Sequence, residues 1–181
     1  MRKVFLMGLV LLLFVGTASA AATKQKLTAG WDNFGEPLNF AKSSVKWSLS
    51  PKRTLSVTFA LVGAHPNKLY QVGLTFFCDS FPATFGQFPT VGGGGPCTPS
   101  TKQGVTKNFA AVEIGVVTTD MNGKGSFTVV IGPVLDGTYK VEFFVHDGAG
   151  CNLNGGGGTN TCWADFRSPG PFGTATTVVV P

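Results

Sequence analysis

The feature that most restricts how this chain can fold is a recurring alternation of apolar and polar residues. In residues 55–61 an apolar side chain occupies every odd position, and Ser56, Thr58 and Ala60 lie between them. Successive side chains of a β-strand point to opposite faces, so the pattern predicts a strand with one buried face. Similar patterns predict strands at residues 45–50, 70–76, 112–116, 126–131, 139–146 and 174–180, with a weaker signal at 29–31.

Residue usage favours an all-β protein over a helical one. The sequence has only three Glu, and its 25 Gly and 11 Pro interrupt most windows of helical length. One polar and one apolar face per strand is typical of antiparallel sheets, and two such sheets bury their apolar faces by stacking. We therefore expect an antiparallel β-sandwich of about seven to eight strands. A closed barrel would satisfy the same alternation.

Short turn motifs separate the predicted strands. Asp120–Gly125 contains an Asn-Gly pair, which favours the positive φ angles of tight turns. Residues 135–138 and 64–68 carry similar turn residues before Tyr139 and Tyr70. The sequence predicts that these turns join neighbouring antiparallel strands as hairpins.

Two stretches of the chain are similar to each other. Residues 56–59 (Ser-Val-Thr-Phe) match residues 126–129 (Ser-Phe-Thr-Val), and each is followed by a glycine, a turn and one of the two tyrosines. Each stretch also leads into four consecutive glycines bracketed by cysteines, at Gly92–Gly95 and Gly155–Gly158. The match indicates an internal repeat, although any two strand–turn–strand units share part of such a pattern.

Part of the second stretch resembles a known family. Residues 132–143, Gly-Pro-Val-Leu-Asp-Gly-Thr-Tyr-Lys-Val-Glu-Phe, look like the late hairpin of bacterial immunoglobulin-like and fibronectin-type extracellular modules. The resemblance extends over residues 112–147 and implies an immunoglobulin-like sandwich. In such modules a tyrosine opens a central strand and its hydroxyl bonds back to the preceding corner, a role that would fall to Tyr139. The family's usual pair of inter-sheet cysteines around a tryptophan does not occur in this sequence.

The first 20 residues have the pattern of a secretory signal peptide. Arg2 and Lys3 precede an apolar run at residues 4–15, and small residues ending in Ala-Ser-Ala follow. The run is too short to span a bilayer. We therefore expect cleavage after Ala20, a secreted or periplasmic location, and no membrane span in the mature chain.

The expected mature chain divides into an N-terminal segment, residues 21–44, and a single β-sandwich domain, residues 45–181. Removing Arg2 and Lys3 from the 14 basic residues leaves 12 against nine acidic residues, a net charge of +3. Without a cluster of basic residues in the sequence, this charge predicts no binding to nucleic acid.

The four cysteines predict two disulfides, because an even number of cysteines in an exported chain is typically oxidised. Pairing Cys78 with Cys97 and Cys151 with Cys162 would close one glycine-rich loop each, which stabilises a fold by on the order of 3 kcal/mol per loop. The alternative links Cys78 to Cys151 and Cys97 to Cys162. Neither pair has the short spacing of a zinc site, so no metal is expected.

No catalytic constellation is evident, so we expect a protein that is not an enzyme and needs no cofactor. His65 and His146 are expected to be solvated residues of a turn and a strand end, and no Gly-x-Ser-x-Gly motif accompanies them. Three aspartates near the cysteine-bounded loops, Asp79, Asp147 and Asp165, leave a carboxylate-based hydrolase or a cation site as alternatives.

Aromatic residues in and beside the cysteine-bounded loops are the candidate binding residues. They are Phe81, Phe85, Phe88, Trp163 and Phe166. Exposed aromatic side chains on loops serve recognition, whereas buried ones would cover the open end of the sandwich. The sequence predicts an exported binding or adhesion module that uses these disulfide-bounded loops, at one end of the sandwich, to contact a glycan, a cell-surface ligand or a protein. The alternative is a self-associating subunit of an extracellular polymer or surface layer, since residues 176–180 are β-prone and uncharged.

Overall fold

All regular structure in the described part of the chain is β-strand. The computed structural model describes residues 21–30, 35–77, 98–102, 105–134, 137–147, 166–168 and 176–180. These residues form strands β1 Thr23–Lys26, β2 Thr28–Ala29, β3 Ser44–Leu49, β4 Leu55–Val62, β5 Leu69–Phe77, β6 Thr98–Lys102, β7 Val105–Thr118, β8 Lys124–Ile131, β9 Gly137–His146, β10 Phe166–Arg167 and β11 Thr176–Val180. Within the same ranges there is no helix that could cross a membrane.

The strands form two antiparallel sheets. The smaller sheet has the order β1-β3-β4-β8. The larger sheet has the order β2-β10-β9-β5-β7-β6. Strand β11 pairs with the first half of β9, on the same side of β9 as β10, which pairs with the second half. The prediction of an all-β, antiparallel, sandwich-like fold is confirmed.

The apolar faces of both sheets contribute to one core. In β4 the odd residues are buried and the even residues are partly exposed, as the alternation predicts. Phe59 of β4 contacts Phe143 of β9 edge to face, with ring centroids 6.2 Å apart. This contact joins the two layers, and burying each such side chain stabilises the fold by about 1.5–3 kcal/mol.

The predicted turns carry the chain from one sheet to the other and do not form hairpins. Residues 63–68 lead from β4 of the smaller sheet to β5 of the larger sheet, and residues 119–123 lead back from β7 to β8. The connection from β8 to β9 crosses in the same way. The hairpin prediction was wrong because a strand shows the same alternation whether its successor lies beside it or faces it across the core.

The Asp120 turn has the predicted positive φ at Gly123 but not at Asn122. The Asp120 carboxylate accepts hydrogen bonds from the N–H groups of Asn122 and Lys124, at 2.8 and 2.9 Å. Gly123 has a φ of 68°, and a side chain there would overlap the carbonyl oxygen of Ala64. These bonds to the backbone lower the pKa of Asp120. The motif is therefore a tight turn, built for a change of sheet.

The internal repeat corresponds to two units that cross between the sheets, β4–β5 and β8–β9. β4 pairs with β8 and β5 pairs with β9. Thr58 lies opposite its match Thr128, and Leu74 lies opposite Phe143. Leu74 and Phe143 have the same separation in sequence as the two tyrosines. An approximate two-fold axis through both residue pairs therefore relates the two units.

Residues of the expected N-terminal segment, 21–44, belong to both sheets. β1 pairs with β3, and β2 pairs with β10. Gln25 of β1 donates a hydrogen bond from Nε2 to Oγ1 of Thr176 in β11, at 2.7 Å. The β-structure of the described chain therefore begins well before residue 45, at Thr23. The C-terminal strand is likewise part of the chain's own sheet, since Thr176–Val180 pairs with β9.

Candidate functional site

The candidate site is the end of the sandwich at which β9 finishes, here called the Asp147 end. The turn between β4 and β5 and the turn between β7 and β8 meet there. The N–H of Ala64 donates to the carbonyl of Gly123, and the N–H of Asn67 donates to the carbonyl of Asp120, both at 3.1 Å. The two turns thus form one hydrogen-bonded platform.

A buried threonine strengthens this platform. The hydroxyl of Thr119 donates to the carbonyl of His65 at 2.6 Å and accepts from the N–H of Lys68 at 2.9 Å. The N–H of Thr119 donates to the carbonyl of Lys68 at 2.9 Å. These bonds fix the backbone at the position from which the Lys68 side chain leaves.

Lys68 brings together two carboxylates from distant parts of the sequence. Its Nζ donates to Oε1 of Glu36 at 2.5 Å and to Oδ2 of Asp147 at 2.7 Å. The Glu36 and Asp147 side chains are only 11% and 9% exposed, whereas Lys68 is 27% exposed. Burial lowers the pKa of Lys68, but its bonds to Asp147 and Glu36 outweigh that effect and raise the pKa above its ordinary value. The lysine therefore stays charged and shares its ammonium group between the two carboxylates.

Tyr70 ties this ionic group to the turn. Its hydroxyl donates to Oε2 of Glu36 at 2.8 Å and accepts from the N–H of His65 at 3.1 Å. The sequence predicted a bond from a strand tyrosine back to the preceding corner at Tyr139, whose side chain is not among those that the structure describes. The structure shows such a bond at Tyr70, the matching residue of the repeat.

Phe166 belongs to the scaffold of this end and does not form an exposed contact surface. It is fully buried in β10, and its ring centroid lies 6.1 Å from that of Tyr70 and 6.2 Å from that of Phe40. The sequence placed Phe166 among the exposed loop aromatics because a strand of two residues leaves no periodic signal. The other four candidates, Phe81, Phe85, Phe88 and Trp163, lie outside the described residues, as do Cys78, Cys97, Cys151 and Cys162.

His146 is buried, which corrects the expectation of a solvated strand-end residue. It is 3% exposed, and its ring stacks on Phe144 with centroids 5.7 Å apart. Its Nε2 lies 3.3 Å from Oε1 of Glu113. Burial lowers the pKa of His146, against the opposing effects of Glu113 and Asp147. The lowered pKa favours the neutral form of this imidazole.

The burial of His146 is shared by its neighbours on the outward face of β5 and β9. Phe144, Glu142 and Thr75 on this face are all less than 10% exposed. Glu142 pairs with Arg167 of β10, its Oε2 lying 3.2 Å from Nη1. The alternation of apolar and polar residues in β9 did not predict that these outward side chains are buried. A strand shows the same alternation whether its outward face is covered or open to solvent.

Several polar groups of the Asp147 end bond to one another. Asp147, which the sequence offered for a hydrolase or a cation site, is bound to Lys68, and Asp79 and Asp165 lie outside the description. His65 is 53% exposed, as expected for a turn residue, and its Nε2 lies 3.8 Å from Glu36. Among the described residues, no three His, Cys, Asp or Glu side chains are grouped in a way that could hold a metal ion. The arrangement is suited to holding backbone in place.

Comparisons with protein-family models, with curated proteins and with solved structures found no match to this chain. The geometry of the Asp147 end and the course of the strands are therefore the basis for a functional proposal.

Proposed function

We propose that the protein is an exported, non-enzymatic binding module that contacts its ligand through its two cysteine-bounded segments. The main support is the way in which residues 148–165 are anchored. Asp147 before them is bound to Lys68, and Phe166 after them is buried against Tyr70. Phe166 also lies opposite Val145 in the sheet. The segment therefore leaves and rejoins one rigid place, which is the usual setting of a recognition loop.

The strand course also supports disulfides that pair cysteines adjacent in sequence. Phe77 and Thr98 lie on either side of the same residue, Phe109, so they are roughly 10 Å apart. Cys78 follows the first of them and Cys97 precedes the second. A disulfide needs Cα atoms about 4.4–6.8 Å apart, which one residue of chain at each side can supply.

The two cysteine-bounded segments start from opposite ends of the β5–β9 pair, not from one end of the sandwich as expected, so the cross-linked alternative demands a much longer reach. Phe76 lies opposite Val141, so Phe77 and Asp147 are at opposite ends of the β5–β9 pair, about 24 Å apart at about 3.4 Å per residue. The four residues from Asp147 to Cys151 span at most about 14 Å when fully extended. We therefore favour Cys78–Cys97 and Cys151–Cys162, and a non-reducing digest analysed by mass spectrometry would identify the linked peptides.

The strand order supports the finer, immunoglobulin-like assignment. In immunoglobulin domains strands A, B and E share one sheet, and strands C, F and G share the other, which strand C′ can extend. Here β3, β4 and β8 are neighbours in the order A-B-E, and β7, β5, β9 and β11 follow the order C′-C-F-G. This agreement rests on topology alone.

A binding assay on the loop aromatics tests the proposed function. The variant F85A/F88A/W163A is compared with wild type for sedimentation with insoluble peptidoglycan and for binding to a glycan array. We expect the variant to lose binding while its circular dichroism spectrum stays that of a β-protein. The matched control is M121A/V130A/V179A, which removes three exposed apolar side chains elsewhere. Equal binding by the loop variant and wild type would refute the proposal.

The alternative function, a subunit of an extracellular polymer, has one supporting feature. In the described part of the chain, β8 pairs only with β4, so it forms an edge of the smaller sheet that carries the exposed Val130. Edge strands can recruit a strand from another chain. Light scattering of the concentrated protein distinguishes the two functions, since the polymer model requires mass that grows with concentration.

A further inference from the structure

The outward face of the smaller sheet carries positive charge that no carboxylate of the same sheet offsets. None of the four strands β1, β3, β4 and β8 contains Asp or Glu. Lys24, Lys26 and Lys46 are exposed on neighbouring strands, and no ion pair joins them to a described carboxylate. Lys124 lies on the same face, but it follows the Asp120 turn closely, and that aspartate offsets its charge.

Two of these lysines are placed against each other by the strand register. Lys24 lies directly opposite Lys46 in the β1–β3 pair. Side chains in such positions have Cβ atoms about 4.5–5.5 Å apart, and like charges there destabilise the pair. The register therefore holds two like charges at directly opposed positions, and a bound anion would reduce their repulsion.

The register continues this row across the sheet with hydroxyl groups. Lys46 lies opposite Thr58, and Thr58 lies opposite Thr128. Four side chains thus form a line perpendicular to the strands, about 15 Å long at about 4.8 Å per strand. An extended ligand that lies along this row would meet two ammonium groups at one end and two hydroxyl groups at the other.

The remaining outward positions indicate which kind of anion fits. The outward residues of the four strands are mainly Ser, Thr and Ala, and they include no aromatic ring. Single-stranded nucleic acid is held by stacking on aromatic side chains, and a membrane surface is held by a broad apolar face. Only Val130 among these outward residues is a large, exposed apolar side chain. A flat hydroxyl-bearing face with a cationic edge suits a chain of sugars that carries carboxylates.

We infer that the outward face of the smaller sheet, centred on Lys24, Lys26 and Lys46, binds an acidic polysaccharide. The carboxylates of the polymer lie against the opposed ammonium groups, and its hydroxyls bond to Thr58 and Thr128. This surface is distinct from both cysteine-bounded segments, so it holds whether or not those segments bind a ligand.

Binding to polygalacturonate, measured by biolayer interferometry at about 50 and about 200 mM salt, tests the inference. We expect wild type to bind at low salt and to ignore neutral dextran. The variant K24Q/K46Q should bind about tenfold or more weakly, and its salt slope should be smaller by about two. The control K52Q/K140Q removes the same charge from exposed positions outside the row, and its affinity should stay within about twofold of wild type.

A charge reversal separates binding from folding. K46E places a carboxylate opposite Lys24, so the unfolding midpoint should rise while polygalacturonate binding is lost. A variant that merely misfolds would lose both.

Three outcomes would overturn the inference. They are no binding by wild type at low salt, equal losses in K24Q/K46Q and K52Q/K140Q, and tighter binding of single-stranded DNA or anionic phospholipid vesicles than of polygalacturonate.

Discussion

Thr58 and Thr128 face each other across the β4–β8 pair, with their hydroxyl oxygens 2.9 Å apart. They occupy the same place in the two units of the internal repeat, so the bond lies at the approximate two-fold axis. The equivalent point of the larger sheet is the Leu74–Phe143 pair. The repeat is thus expressed in three dimensions as two crossing units that pair with each other strand for strand.

This symmetry makes a prediction about the two threonines. T58V and T128V should each lower the free energy of unfolding by about 0.5 kcal/mol, because each removes the same cross-strand hydrogen bond. The double variant should cost little more than either single one, since the bond can be lost only once. Urea denaturation of the four proteins measures this. Independent, additive losses would show that the hydroxyls do not interact.

Removing the Lys68 ammonium should expose the repulsion between the carboxylates of Glu36 and Asp147. We expect K68M to lower the free energy of unfolding by about 2–3 kcal/mol, less than for a fully buried pair because Lys68 is partly exposed. K140M, which removes an exposed lysine of β9, is the control and should change stability by less than about 0.5 kcal/mol.

The raised pKa of Lys68 also gives this contribution a pH dependence. A raised pKa means that the folded chain holds the proton more tightly than the unfolded chain. The contribution is therefore complete below about pH 10.5, the ordinary lysine value, and is lost as pH rises through the higher folded pKa. The stability difference between wild type and K68M should shrink in that alkaline range, and a difference that grew there would contradict the assignment.

His146 should make the fold sensitive to mild acid. Burial lowers its pKa, so the unfolded chain takes up a proton more readily than the folded chain as pH falls below about 6.5. Stability should therefore drop between neutrality and the lowered pKa, and H146Q should lack that part of the drop. H65Q replaces the exposed histidine and should retain it. Thermal unfolding at pH 7.5 and 5.5 compares the three proteins.

A side chain at Gly115 should destabilise the fold while Phe127 is present. Gly115 faces the core from β7, and a Cβ atom there would overlap the Phe127 ring across the two sheets. G115A should therefore cost about 1–3 kcal/mol through overpacking. The same G115A change should cost less when it is made in the F127L variant than when it is made in wild type. The shorter leucine side chain leaves free the space that the added methyl group needs. Purely additive losses would place the strain elsewhere.

The sequence carried enough information for the strands but not for their arrangement. The alternation in residues 55–61 located β4 almost to the residue, since burial on one face is a local property. It did not show that β4 and β5 lie in different sheets, because stacked and adjacent strands have the same period. Thr23–Lys26 has no apolar residue, so β1 became visible only through its pairing with β3.

Because β1 was not predicted, the charged surface of the smaller sheet was not predicted either. In the sequence, Lys24 and Lys46 are separated by more than 20 residues, and no basic cluster is evident. Register places them opposite each other. The Lys68 group is similar, because Glu36, Lys68 and Asp147 come from three separate regions and only the meeting of two turns brings them within bonding distance. Such sites depend on non-local pairing, which a single sequence does not encode in its periodicity.

The hydrogen bond between Gln25 and Thr176 joins the first and last strands of the described chain across the two sheets. A linker that runs back along β11, from Val180 to Thr23, would therefore close the chain into a ring without disturbing any ladder. New ends could then be opened at the exposed turn beside Met121. Circular permutants of this kind should fold and form the same strands, although their polypeptide chain starts at a different residue.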